Sequence, residues 1–422
     1  CGGSSSGSSS DSSSDSKEAS DSSSSNSNGA AEVTLWHYFE HEAPDLEAVA
    51  EKYNESQDKI HVTCTYVSRE ELMNQYTIGA VSGELPDIGM VDSPDMESYI
   101  SLGVFEDITD DIKDWDELDQ FYDGPLSSCM DADGKYYGLP NNSNCLTLCC
   151  NMDILNAAGI ENPPTTWEEL DAACAKLKEA GITPITADDA YLTSFIGYHL
   201  ARYIGQDGVK ALVTGEEYNG ESVTWDDEKV KAAAESFADF AKKGYFSKNI
   251  ATNKYPAGQN QEFAPGDAAI VICGSWLPNE AKDSVAEDLE WGYFNYPSVP
   301  DGKDDNTANN IANQVLAINK DSKMADEAFQ LIEYITTGEY DKKMTEDALC
   351  IPTDKANSDA WPTELAGVKE AFDATTTFYD WAAGVESNND ITPVLQENTQ
   401  KLASGKLDAA GFIKAMKEAA GK

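Results

Sequence analysis

The chain carries 76 acidic and 29 basic residues. Carboxylates fit for general acid or base work are therefore near every part of it, and their abundance argues for no particular reaction. Cleavage of a glycosidic bond would need one pair held on either side of that bond. The sequence contains no G-x-S-x-G, no phosphate-binding P-loop and no Rossmann glycine pattern. Two patterns invite a metal. His37 and His41 stand four apart beside Glu40 and Glu42, yet the run is not H-E-x-x-H, and His37 falls at the end of a predicted strand rather than on a helix. Asp131-x-Asp133-Gly134 starts like a calcium loop but lacks the third ligand and the closing Glu, and Asp-Gly before a strand reads as a hairpin turn. The nine cysteines form no pair of C-x-x-C motifs, so no zinc site is predicted. No metal, cofactor or catalytic set is expected. What remains is the chemistry of binding, in aromatic rings and short polar runs at predicted strand ends.

The elements that would position those residues follow from periodicity. Val33 to Trp36 is a short β-rich run. Pro44-Asp45-Leu46 opens a helix with Leu46, Val49, Ala50 and Tyr53 on one face. Ile60 to Val67 is a second strand, Arg69 to Val81 a helix closed by Gly83, and Asp87 to Val91 a third strand. Strand and helix alternating at this pitch mean parallel βαβ units, in which ligands sit beyond the carboxyl ends of the strands. That directs attention to His37–Glu40 and to Asp92–Pro94. Thr166-Trp167-Glu168-Glu169 is a capping box for a helix with Trp167, Leu170, Cys174 and Leu177 as its buried stripe. Ile182 to Thr186 is a strand followed by a polar turn, Asp188 to Tyr191. Ala268 to Cys273 is an apolar strand ending in Gly274-Ser275-Trp276. Val315 to Ile318 is a strand, Ala325 to Ile335 an amphipathic helix, and Leu407 to Ala419 is helical. At 422 residues the chain is too long for one core and suits two α/β lobes with a cleft between them.

The net charge of −47 repels phosphate backbones and anionic headgroups, so nucleic acid and polybasic membrane docking are excluded as partners. No run of 18 apolar residues is present. The chain starts Cys1-Gly2-Gly3 and continues in a serine-dominated tract to about Ala31, too poor in apolar residues to join a core and suited to a tether of about 30 Å. This beginning resembles a processed bacterial lipoprotein, whose N-terminal Cys carries a thioether-linked diacylglyceryl group. The expectation is a lipid anchor on Cys1 at the outer face of the cytoplasmic membrane. Unpatterned thiols on an external protein fit a Gram-positive anaerobe.

The order of segments resembles the family 1 extracellular solute-binding proteins, the group that includes maltose-binding protein. The resemblance rests on Val33-Thr34-Leu35-Trp36-His37, on Ser82-Gly83-Glu84-Leu85-Pro86-Asp87-Ile88 (S-G-x-x-P-D-[VIL]), and on Gly134-Lys135-Tyr136-Tyr137-Gly138-Leu139-Pro140 (G-K-x-Y-G-[LI]-P). It is carried further by Pro163 to Leu170 (P-x-T-W-[ED]-E-L) and by Phe263 to Ala269 followed by Gly274-Ser275-Trp276. It implies an α/β, two-lobed periplasmic-binding-protein fold of type II with a hinge between mixed-sheet lobes. The expected division is a tether over 1–31, one lobe over 32–141 returning at 315–350, and the other over 142–314 returning at 351–422. It further implies a monomeric ABC-importer receptor that carries an oligosaccharide to membrane permease subunits. The chain departs from the family at Asn141 to Asn144, where an aromatic or acidic residue is frequent, and after Ile185, where Tyr191 is the nearest aromatic.

A sugar offers an apolar face and a rim of hydroxyls, so its site needs aromatic planes and fixed polar groups. Trp276, emerging from a strand at a Gly-Ser turn, is the expected platform. Trp381 is either a second contact or a packed tryptophan of a C-terminal helix, and Tyr379 is its alternative as the C-terminal aromatic contact. His37, Tyr38, Glu40 and Asp92 lie at strand ends where the family binds hydroxyls. Asn142, Ser143 and Asn144 bond hydroxyls or shape the hinge. Asp188, Tyr191 and Asn313 complete the expected set. A receptor for a peptide or polyamine, and a surface glycoside-cleaving enzyme, stand as alternatives.

Overall fold

The structure is a computed structural model that describes residues 29–39, 43–113 and 115–421. Cys1, nearly all of the serine-rich tract, Glu40 and His41 lie outside the described residues. Among the described residues the strands are β1 (Ala31–His37), β2 (Ile60–Tyr66), β3 (Ile88–Asp92), β4 (Gly138–Asn151), β5 (Thr183–Thr186), β6 (Ala268–Gly274), β7 (Trp291–Phe294), β8 (Ala308–Ile318) and β9 (Thr377–Tyr379). They form one mixed sheet in the order β2-β1-β3-β8-β4-β6-β5, with β7 on β4 and β9 on β8. β1 pairs in parallel with β2 and β3, as the βαβ pattern predicts. β8 runs antiparallel to β3 on one side and to β4 on the other.

β4 and β8 are longer than the sequence suggests, and both cross from one lobe to the other. Gly138 to Asn141 pair with Gln314 to Ala317 beside β3, whereas Leu146 to Cys150 pair with β6. Between these stretches the register of β4 shifts at Asn141/Ser143, and Asn142 takes φ 52°. The core is divided accordingly. One cluster gathers Val33, Leu35, Leu72, Ile88, Val315, Leu331 and Ile332, and the other Leu146, Cys149, Phe195, Ile270, Phe237, Leu395 and Phe412. Each fully buried leucine contributes about 2–3 kcal/mol of apolar burial.

Local signals place the helices on this sheet. The helix Ala43–Ser56 buries the predicted stripe Leu46, Val49, Ala50 and Tyr53. Ser68 caps the helix Arg69–Ser82 by accepting the Glu71 N–H, and Gly83, at φ 75°, ends it. Thr166 caps Trp167–Glu179, while Glu169 reaches back to the Thr165 N–H at 2.8 Å rather than to the cap residue's own. At Asp131 the carboxylate accepts the N–H groups of Asp133 and Lys135, which fixes the hairpin turn.

Two local expectations are corrected. Asp188–Tyr191 is not a free turn: Asp188 sits at the start of the helix Asp189–Thr214, and Tyr191 lies in that helix's first turn. Trp381 is not in a helix. It follows β9 in a turn where Ala383 and Gly384 both have positive φ, a conformation no helix continues through. No helix among the described residues is long and apolar enough to cross a membrane.

Candidate ligand-binding site

A cavity of about 330 Å³ opens where segments of both lobes meet, within the size range of small-ligand sites. Tyr38 and Phe39 enter it from the end of β1, Gln314 from β8 and Asn142 to Asn144 from the irregular part of β4. Ser275 and Trp276 follow β6, Asn279 lies one turn on, and Ala348 to Cys350 leave the helix Gly338–Ala348. No charged side chain is among these lining residues.

The wall after β6 is aromatic. Trp276 is half-buried, and its indole folds back over Gly274, where an added Cβ would stand 2.1 Å from the ring. Only glycine leaves room for that approach. Trp381 stacks on Trp276 with ring centroids 5.7 Å apart and planes 19° from parallel, and it is 38% exposed. Tyr191 packs against Trp381 at 6.0 Å from beneath, buried, with its hydroxyl 3.7 Å from Cys273 Sγ. Three of the residues singled out in the sequence, Tyr191, Trp276 and Trp381, thus form one aromatic group.

The wall after β1 is organised by hydrogen bonds. The Tyr38 hydroxyl donates to Asp92 Oδ1 at 2.6 Å, and Arg69 Nε donates to Asp92 Oδ2 at 2.8 Å. Burial, and then the Asp92 carboxylate, push the Tyr38 phenol well above its usual range, so it stays a neutral hydroxyl. Asp92 therefore stands behind Tyr38 with both oxygens engaged.

His37 has no place on the cavity wall. It is fully buried, under the rings of Phe39 and Tyr66. Its Nδ1 accepts the Phe39 N–H at 3.2 Å, and burial lowers its pKa to about 4, so the ring is neutral. Asn313 is also buried and fully engaged. It accepts from Ser128 Oγ at 2.9 Å, donates through Nδ2 to the Gln314 carbonyl and through its backbone N–H to Ser93 Oγ. Asp188 is buried as well. It exchanges hydrogen bonds with Gln259, accepting that residue's N–H at 2.6 Å, and burial raises its pKa to about 6. Tyr379 is buried and bonds Arg202 and Asp304, away from the cavity. Glu40 lies outside the described residues.

Asn142 Oδ1, Ser143 Oγ and Gln314 Oε1 are buried with no partner among the described residues, and all three residues line the cavity. Buried polar groups rarely go unbonded, so these are ready to receive a polar ligand. Phe39, Ser275, Asn279, Gln314 and Leu349–Cys350 line the cavity without having been singled out in the sequence. For Asn279 a signal existed, since it stands three residues after Trp276 at the start of the helix Leu277–Ala281.

Comparison with known proteins bears on the fold and the family. A solved chitin oligosaccharide binding protein is 22% identical with TM-score 0.68, over 92% of this chain and 98% of that one. The cyclic alpha-maltosyl-1,6-maltose binding protein from Arthrobacter globiformis is 21% identical with TM-score 0.69, over 93% of this chain and 98% of that one. These likenesses show the two-lobed fold. The sn-glycerol-3-phosphate-binding periplasmic protein UgpB of Yersinia pestis is 26% identical over 285 residues, 63% of this chain and 59% of that protein. The pattern of the family described as bacterial extracellular solute-binding protein matches residues 48–370, and the chain belongs to that family.

Proposed function

We propose that the protein captures an uncharged oligosaccharide in the cleft and delivers it to the permease subunits of an ABC importer. The observation that carries this reading is the wall itself: aromatic planes on one side, unused amide and hydroxyl atoms at the strand crossing, and no charge among the described lining residues. An apolar sugar face suits the indole of Trp276, and sugar hydroxyls suit Asn142, Ser143, Asn144, Asn279 and Gln314. A phosphate ester would need a free cation at the wall, and the nearby Arg69 is committed to Asp92 and Asp95. A polyamine would need free carboxylates there; none is among the described lining residues, and Asp92 behind them is engaged. The two structural neighbours named for oligosaccharides support the same choice. We take the lobes as 32–141 with 315–350 and 142–314 with 351–422, closing about the crossing of β4 and β8 over the solute. The receptor acts as a monomer that binds without cleaving. The serine-rich tract serves as its tether at the outer membrane face; replacing Cys1 by Ala in the precursor tests the anchor, and continued retention in the membrane fraction rejects it.

The test is ligand-dependent melting across neutral oligosaccharides, sn-glycerol 3-phosphate and spermidine. A ligand at 100 times its Kd adds about 2.7 kcal/mol of stability. A rise confined to neutral oligosaccharides is expected. A rise with the phosphate or the amine alone overturns the neutral reading, and release of shorter sugars overturns the absence of cleavage.

A further inference from the structure

Tyr38 gives its only proton to Asp92, so toward the cleft its oxygen can act only as an acceptor. Gln314 turns its amide nitrogen toward Asp92 Oδ1 at 3.4 Å, and its Oε1 has no partner among the described residues. The wall after β1 therefore presents acceptors. Two kinds of ligand group donate to acceptors, the neutral hydroxyl and the cationic ammonium, and hydrogen-bond geometry alone separates them poorly. A carboxylate directly behind the wall would favour the ammonium. Here that carboxylate is offset in part: Arg69, from the first turn of its helix, pairs with Asp92 through Nε at 2.8 Å and shares its charge with Asp95 through Nη2. Its guanidinium stands outside the cleft, and its side chain is half exposed.

We propose that Arg69 is the residue that sets the charge class of the ligand, offsetting the Asp92 carboxylate behind the Tyr38–Gln314 wall so that hydroxyl donors are favoured over ammonium donors. The inference rests on the cleft being the solute site. Arg69 is a positioning residue: it acts through Asp92 and does not itself line the cavity.

Spermidine and sn-glycerol 3-phosphate serve as charge probes, each read by titration and by melting on the full chain at matched ionic strength. With Arg69→Gln, spermidine affinity rises by about tenfold or more over the unsubstituted protein. The gain shrinks as salt is raised. It disappears in the double variant Arg69→Gln with Asp92→Asn, and Arg69→Lys restores the original selectivity. Asp92→Asn alone, nearly isosteric, is the mirror experiment: it removes one negative charge while Arg69 stays paired with Asp95, and so raises the response to sn-glycerol 3-phosphate several-fold. A purely structural role for Arg69 would lower the melting temperature and move neither probe. If Arg69→Gln and Asp92→Asn both keep the original response to the two probes, or if the spermidine gain survives Asp92→Asn, the proposal is overturned. If Arg69→Gln does not fold, the Asp92→Asn arm decides alone. Failure of the oligosaccharide reading looks different, since the unsubstituted protein then responds to a charged probe itself.

Discussion

The two walls of the cleft are built on different physics. The wall after β6 is an aromatic group held by packing, with Trp276 lying on Gly274, Trp381 on Trp276 and Tyr191 beneath. The wall after β1 is a hydrogen-bonded chain, from Tyr38 through Asp92 to Arg69. Stacking area is tolerant of what it meets, whereas fixed acceptors distinguish one orientation from another. The aromatic wall should therefore supply most of the affinity and the polar wall most of the selectivity.

The largest effect expected from that contrast is at Trp276. Trp276→Ala should weaken oligosaccharide binding by about thirtyfold, some 2 kcal/mol, with little change in the ligand-free melting temperature. Phe at the same position should lose less. Titration calorimetry beside melting checks this, and a variant that melts far earlier while the folded remainder binds normally would make Trp276 a core residue. Gly274→Ala comes next. Its new Cβ meets the indole at 2.1 Å, so the ring must leave its seat, and a loss of about tenfold is expected without any change to Trp276 itself. Unchanged affinity would show that the seat does not matter.

On the polar wall, Tyr38→Phe removes one oxygen and leaves the ring. About 1 kcal/mol, close to fivefold, should be lost, and discrimination among sugar epimers should fall more than affinity does. Equal losses across epimers would break the assignment of selectivity to this wall. The smallest effect is on stability alone. Asp188, buried at the start of the helix that carries Tyr191, has its pKa raised to about 6 by burial. The folded state therefore holds a proton that the unfolded state releases near pH 4, so stability falls as pH rises from about 4 to about 6. Asp188→Asn should flatten that slope, by on the order of 1 kcal/mol, and leave affinity in place. A slope that persists in the variant points instead to Asp341, whose pKa burial also raises to about 6.

The α/β elements were legible because their signals are local. The helix stripe from Leu46 to Tyr53, the Ser68 cap and the Thr166 cap are each read within a few residues. The length of β4 was not, since Asn141 to Asn144 have poor strand propensity and are held against β8 across a register shift at Asn142. His37 shows a signal that was present and passed over. Its place at a strand end suggested a ligand contact, but the alternation of β1 puts it on the inward face with Val33 and Leu35 and leaves Tyr38 to the cleft side. For Asn313 nothing local could help: its partners Ser128 and Ser93 stand 185 and 220 residues away. For Trp381 the sequence left a ligand contact and a packed place in a C-terminal helix both open; the positive φ at Ala383 and Gly384 removes the helix, and the ring stacks on Trp276.

The pairing of β3 with β8 also sets a timetable. Met90 lies against Leu316, so the inner edge of β3 has no neighbour until a segment more than two hundred residues downstream has been made. At about 5–20 residues per second, synthesis of the intervening chain takes roughly 10–45 s. Throughout that interval β1, β2 and β3 form at most an unfinished sheet with an open edge, and an open edge invites pairing with any strand nearby. The half of the molecule made first thus waits for strands made far later, and a chain released before β8 would carry its own template for aggregation.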